Sequence, residues 1–308
     1  MNRLQLFAAV AALVFATPAH AYFEQSDAGA RVLAMGPAAM ATVNDVSAYH
    51  WNPAALASMR RSELLLDYSK PYSVDNLGEN SVAFGVRRYN TGFAIAWHRL
   101  GVTDVYAEDQ FSLSAGRTVI AGARGLNLDA GATVKFMRAG FRPFEAPDGG
   151  IVDYGSTSHP SLDLAARLRT PWSTDFSWVL RDALQPRFEF VAGTGGDRLA
   201  ARQELAAAIR WNRESTVSLG LAQQEGRSAL LSAGLEILFY DVFAIRTGLS
   251  NISVVYKAQQ SPNELQFSGG FGVFHKGYNV DAALASSRDL GASYRMSLRF
   301  PLGHGGRP

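Results

Sequence analysis

The chain has 308 residues, 29 of them basic and 27 acidic, for a formal net charge of +2. That balance gives no electrostatic case for nucleic acid as a partner. Without a single cysteine there is no disulfide, no zinc–thiolate centre, no thiol nucleophile and no lipidated Cys.

The first 21 residues, MNRLQLFAAVAALVFATPAHA, read as a secretory signal peptide. Arg3 supplies the positive start, Leu4 to Ala16 the apolar stretch, and Ala19-His20-Ala21 the A-x-A cleavage site. No later segment has an apolar run long enough to span a membrane as a helix. The whole is 47% hydrophobic with 29 glycines, as suits an exported β-rich chain, soluble or membrane-embedded.

Residues 22–61 are rich in Ala and Met and lack alternation, so they are set apart as an N-terminal plug (hatch) expected inside a lumen. Within them lies DVSAYHWNPAALAS, Asp45 to Ser58. Asn52 is expected to cap a short helical turn over Ala54–Ala57, with Pro53 at its first position, where no N–H partner is needed. Tyr49, His50 and Trp51 become bulky contacts just before that cap.

From Ser62 onward, short segments alternate bulky apolar residues with small or charged ones, the period of a strand. Fourteen candidates follow in order: 62–73, 79–89, 91–102, 108–120, 125–141, 160–171, 174–182, 199–210, 215–223, 228–240, 242–250, 264–275, 277–286 and 292–300. Two of them are also compatible with helices. Phe176, Val179, Leu180 and Leu184 fall at helical spacing before Pro186, and 199–210 is Ala-rich, so the count is twelve or fourteen. Residues Pro143 to Pro160 read as a long outer loop. In the last segment, Tyr294, Met296, Leu298 and Phe300 share one face, and Arg295 and Arg299 the other. Together with Gly291 the first four form the expected β-signal. Arginines suit a wet lumen better than the core of a sandwich.

The fold class expected is therefore all-β, a transmembrane antiparallel β-barrel of about 14 strands over 62–300, with a C-terminal extension at 301–308. Asp163, Arg167, Arg169, Glu236, Asp281, Arg295 and Arg299 are its expected lumen charges, pairing with one another or with the plug. Aromatics near strand ends (Tyr68, Tyr72, Tyr89, Trp97, Tyr106, Trp172, Trp211, Tyr240, Tyr256 and Tyr278) fit interfacial girdles. No nucleophile elbow, zinc-helix motif, phosphate loop or calcium loop is present, and the histidines are too scattered for a metal set. GTGGDR, with Gly193, Gly195 and Gly196, reads as a turn. No catalysis, cofactor or metal is expected.

The stretch GARVLAMGPAAMATVNDVSAYHWNPAALA resembles the opening of the FadL-like (OmpP1/FadL/TodX) outer-membrane superfamily, and especially its PorV/PorQ branch. Gly29-Ala30-Arg31, Met35-Gly36, Asp45, Ser47-Ala48 and Trp51-Asn52-Pro53-Ala54 carry the likeness, in order and spacing. AGLEILFYDVFAIRTGL, FSGGFGVFHKGYNVDAAL and LGASYRMSLRF look like the same branch, while the middle of the chain carries little motif. Pro37 departs from the glycine usual after Met-Gly, and 301–308 leave the β-signal internal. The resemblance implies a fourteen-stranded barrel in the outer membrane of a Gram-negative bacterium, with an N-terminal plug whose movement lets fatty-acid-like compounds cross. For PorV-type relatives it implies instead receipt of type IX secretion cargo. Expected partners are outer-membrane lipid, the barrel assembly machinery, and either hydrophobic small molecules or a secretion protein. An apolar pocket lined by residues such as Met35, Met40, Trp51, Met137 and Phe141 is the expectation for the transport reading. Arg31 and Asp45 are candidate pins between plug and wall. A soluble exported β-protein is the remaining alternative.

Overall fold

The computed structural model describes residues 23, 27–145, 150–190, 196–253, 265–287 and 291–302. The expected signal peptide, Tyr256, Gly193, Gly195 and 303–308 lie outside them. Among the described residues no helix is long and apolar enough to cross a membrane.

Fourteen strands form one closed antiparallel barrel. They are β1 (Ser62–Lys70), β2 (Leu77–Arg88), β3 (Thr91–Val102), β4 (Tyr106–Ala121), β5 (Asn127–Phe141), β6 (Ser156–Arg169) and β7 (Thr174–Arg181), then β8 (Arg202–Arg210), β9 (Ser215–Gln224), β10 (Leu230–Phe239), β11 (Phe243–Ser253), β12 (Gln266–His275), β13 (Tyr278–Ser287) and β14 (Gly291–Leu302). Each pairs with its neighbour in sequence, and β1 closes the ring on β14, with Leu64 opposite Phe300. A closed ring leaves no strand edge unpaired, a condition for crossing lipid.

The count is fourteen because both ambiguous segments are strands. β7 pairs with β8, setting Leu205 opposite Trp178. Val179 points inward and is fully buried, while Phe176 and Leu205 face outward and are about half exposed. Ladder hydrogen bonds to two neighbours override the local helical spacing. Three further differences concern ends. Pro160 and the four residues before it belong to β6, so the outer loop stops at 155 rather than 160. β1 stops at Lys70, and Pro71–Ser73 form a 3₁₀ turn. Pro301 and Leu302 belong to the final strand, paired with Glu63 and Ser62, and are not an extension.

The bulky face of each strand is the outer one. Leu113, Phe136, Leu219, Phe267 and Met296 stand exposed there, as a lipid-facing wall requires. Tyr89, Trp172, Trp211 and Tyr240, all highly exposed, mark the short-turn end and form a girdle. Tyr72 and Tyr106 do not join one: Tyr72 lines a cavity, and Tyr106 packs tilted against Phe141 at 4.7 Å. The longer connections, 142–155 and 182–201, share the opposite end. In bacterial barrels the short turns face the periplasm.

The N-terminal segment lies inside the ring. It holds two short helices, α1 (Ala30–Met35) and α2 (Ala48–Trp51), and two 3₁₀ turns, Pro37–Ala41 and Pro53–Ser58. α1 touches β10 to β14, the first turn β7 to β10, and the second turn β2 to β6, so the segment spans the lumen from wall to wall. Ala30, Ala34, Met35, Ala39, Tyr49 and Leu56 have essentially no exposed surface. Small residues on the inner wall make room for it. Gly92, Gly116 and Gly131 are cross-strand neighbours on β3, β4 and β5. A Cβ on any of them would run into the backbone of Pro53, Ala54 or Leu56. On the opposite wall, Gly234 and Gly248 form a second groove across β10 and β11, pressed against Met35.

Candidate functional site

Above the N-terminal segment, toward the long-connection end, is a cavity of about 390 Å³. α2 and the start of α1 form its floor. Val32, Leu33, Tyr49, Trp51, Met137 and Leu199 give it an apolar side. Polar side chains make up the rest: Asp27, Glu79, Asp163, Asp182 and Glu204 against Lys135, Arg181, Arg202, Arg227 and Arg295, together with His50. The expected apolar pocket is thus replaced by a mixed one. Of its expected residues, Trp51 and Met137 line the cavity. Met35 is sealed against the second glycine groove, and Phe141 packs tilted against Tyr106 and edge-on against Phe190 in an outer aromatic cluster. Met40 borders a separate cleft of about 20 Å³.

The ionic groups around the cavity are tied together. Lys135 lies 2.8 Å from Asp163 and 2.5 Å from Asp182, whose backbone N–H also donates to Asp163. Arg181 pairs with Glu204 at 2.9 Å, donates to the carbonyls of His50 and Trp51, and lies 5.6 Å over the Trp51 ring. Arg295 holds Asp67 at 2.8 Å, Glu79, and the carbonyl of Asp27. His98 adds a 2.8 Å contact to Glu79. Buried charges need such partners to be tolerated. Burial raises the pKa of Asp27, opposed by the charge of Arg295. Burial also holds His50 well below the usual histidine value, helped by the nearby cation Arg181.

At the short-turn end, a second network anchors the segment. Arg31 forms a two-point pair with Glu236, which also binds Arg246, and Arg246 reaches Asp281 at 2.6 Å. Asp45 pairs with Arg299 at 2.5 Å and accepts the Ser47 hydroxyl. Arg167 bridges Asp129, the Val43 carbonyl and the Ser58 hydroxyl, while Arg169 takes the same Asp129 at 2.8 Å. Trp51 Nε1 donates to the Ala28 carbonyl. Gly36 takes a positive φ of 73° between α1 and the first 3₁₀ turn. Ala54 sits buried at the first glycine groove.

The expected helix cap is not formed. Asn52 makes no side-chain cap bond; its amide donates 2.9 Å across the lumen to Ser177 on β7, and the turn after it is 3₁₀. The chain must leave α2 and enter the first groove within one residue, so Asn52 takes an extended backbone and turns its side chain to the wall. Of the expected β-signal, Tyr294, Met296 and Leu298 face outward on β14, with Gly291 at its start and Phe300 near its end.

Sequence reasoning missed Lys135, Arg181, Glu204, Glu79 and Asp67, which carry the cavity's pairing. The period-two pattern already places all five on the inward faces of their strands. Asp27 and Asp182, in irregular segments, gave no such signal.

No family model matches the chain, and no curated protein matches it. Solved structures do match. The CymD monoaromatic hydrocarbon channel is 11% identical with a TM-score of 0.61, over 90% of this chain and 100% of that one. The Pseudomonas putida toluene transporter TodX is 10% identical with a TM-score of 0.60, over 90% and 97%. A Pseudomonas aeruginosa FadL homologue is 13% identical with a TM-score of 0.57, over 84% and 95%. At such identities the likeness is one of fold: this chain has the barrel architecture of FadL- and TodX-type proteins.

Proposed function

We propose that the protein is an outer-membrane channel, not an enzyme, that admits small, largely hydrophobic compounds from the long-connection side. The observation that carries this reading is the cavity itself: an open recess partly lined by apolar side chains, set directly on a segment that spans the lumen. The shared architecture with hydrocarbon channels supports it. Passage requires the N-terminal segment to shift, since it touches the wall from β2 to β14. Uptake of toluene into proteoliposomes tests the proposal. Entry above that of protein-free vesicles is expected, and equal rates would refute it.

A secretion-associated role of the PorV/PorQ kind is the second reading. The segment that spans the lumen beneath the cavity favours it, because a barrel that only docks protein cargo needs no path through its lumen. Co-purification of a surface protein, with no hydrophobic compound extractable from the barrel, would decide for it.

A further inference from the structure

His50 is one of the polar side chains on the cavity that the surrounding networks leave out, together with the Tyr49 hydroxyl and the Asp27 carboxylate. The His50 side chain lines the space and is only 8% exposed, yet among the described residues its ring nitrogens have no hydrogen-bond partner. Only its backbone is used: the carbonyl accepts from Arg181 and the N–H donates to the Ser47 carbonyl. Trp51 meets the imidazole edge-on at 4.8 Å, and Tyr49 stands 6.0 Å away. The imidazole nitrogens are open to the cavity, where a ligand that enters can donate to one or accept from the other.

The charges around the imidazole define that ligand further. Lys135, Arg181 and Arg295 each already hold carboxylates, and Arg202 lies 2.9 Å from Glu204. An incoming carboxylate would meet five acidic side chains and compete for cations that are already engaged. An incoming ammonium could pair with the Asp27 carboxylate, but beside the imidazole it would meet the cations Arg181, Lys135 and Arg295. A neutral hydroxyl avoids both conflicts, since it can donate to one imidazole nitrogen or accept from the other. The apolar side formed by Tyr49, Trp51, Met137 and Leu199 suits a compact ring.

We propose that this cavity binds uncharged, hydroxyl-bearing compounds with a compact apolar body, of which phenol is the simplest aromatic member, and that the His50 imidazole makes the selecting hydrogen bond. The inference rests on the channel reading above and narrows its substrate class.

The test uses the full chain in detergent, with phenol, toluene, benzoate and benzylamine as probes and ligand-detected NMR titration as the readout. His50→Phe keeps a ring but removes both nitrogens, and His50→Gln restores a donor and an acceptor. Heat-modifiable gel mobility shows that each variant is folded. Phenol affinity should fall about fivefold to tenfold in His50→Phe, as expected for one lost hydrogen bond, and recover in His50→Gln. Toluene should bind both forms alike. Phenol binding unchanged in folded His50→Phe, or benzoate or benzylamine binding more tightly than phenol, would overturn the inference. If toluene still enters vesicles in that case, the channel reading survives. If no probe binds and none enters, both fall.

Discussion

Two walls of the same barrel hold the N-terminal segment by different physics. On β3 to β5 the contact is one of shape: the Pro53–Ser58 turn lies in a groove of three aligned glycines, backbone against backbone. On β10 to β14 a glycine groove recurs under Met35, but charge is added. Arg31 holds Glu236, the N–H of Ala30 donates 2.6 Å to the Ser297 hydroxyl, and Asp45 holds Arg299. A seat made of shape fails when volume is added and is indifferent to pH. A seat made of ion pairs fails when a partner is removed or neutralised.

Three experiments sharpen or break that contrast. The largest effect is expected from Gly116→Val, whose side chain would collide with the Pro53 carbonyl, a position that cannot swing aside. We expect a loss of about 3 kcal/mol or more and a segment open to added protease. Gly269→Ala is the control, because its Cβ meets nothing closer than the Arg246 carbonyl at 3.6 Å. Equal protease resistance in the two variants would show that the groove is not a seat.

Next comes Arg31→Met, which leaves Glu236 and Arg246 to rearrange on the charged wall. Removing one partner of a buried pair costs about 3 kcal/mol, read as a lower melting temperature of the heat-modifiable form. A double change, Arg31→Met with Glu236→Gln, should recover part of that loss. If it loses twice as much instead, the pair is not the cause.

Acid gives the smallest and most graded effect. Burial works against the charge on Asp45, but Arg299 and the Ser47 hydroxyl hold its pKa below the ordinary value. Its stabilising contribution is full above that ordinary value, near pH 4, and drains away as pH falls through the depressed folded value. His50, kept neutral in the fold, acts in the same direction from its unfolded value near pH 6.5 downward, because the unfolded chain takes up the proton first. Release of the segment, followed by tryptophan fluorescence of Trp51, should therefore rise in two steps on acidification. His50→Gln should erase only the upper step, and its persistence in that variant would break the assignment.

The barrel was readable from residues because lipid and lumen impose opposite demands on alternate positions. Tyr294 and Arg295 differ by one place and face different solvents. Segments 174–182 and 199–210 resisted that reading because each is short, and its pairing depends on a neighbour rather than on its own spacing. The cavity resisted for another reason. Lys135, Asp163 and Asp182 come from β5, β6 and the connection after β7, and only the pairing of those three strands makes them one cluster. The role of Asn52 was hidden likewise, since its partner Ser177 lies 125 residues away.

The two glycine seats also impose an order on assembly. The first is complete once β3, β4 and β5 are in register, so the Pro53–Ser58 turn can dock while the C-terminal half is still unpaired. The second needs β10 and β11, and the Ala30 bond to Ser297 waits for the final strand. On that order the segment would be wrapped rather than inserted. A one-residue slip between β3 and β4 would replace Gly116 with a side-chain-bearing neighbour beneath the turn and stop the wrapping at its first step. The buried leader of the chain thus serves as a gauge of strand alignment before the ring is shut.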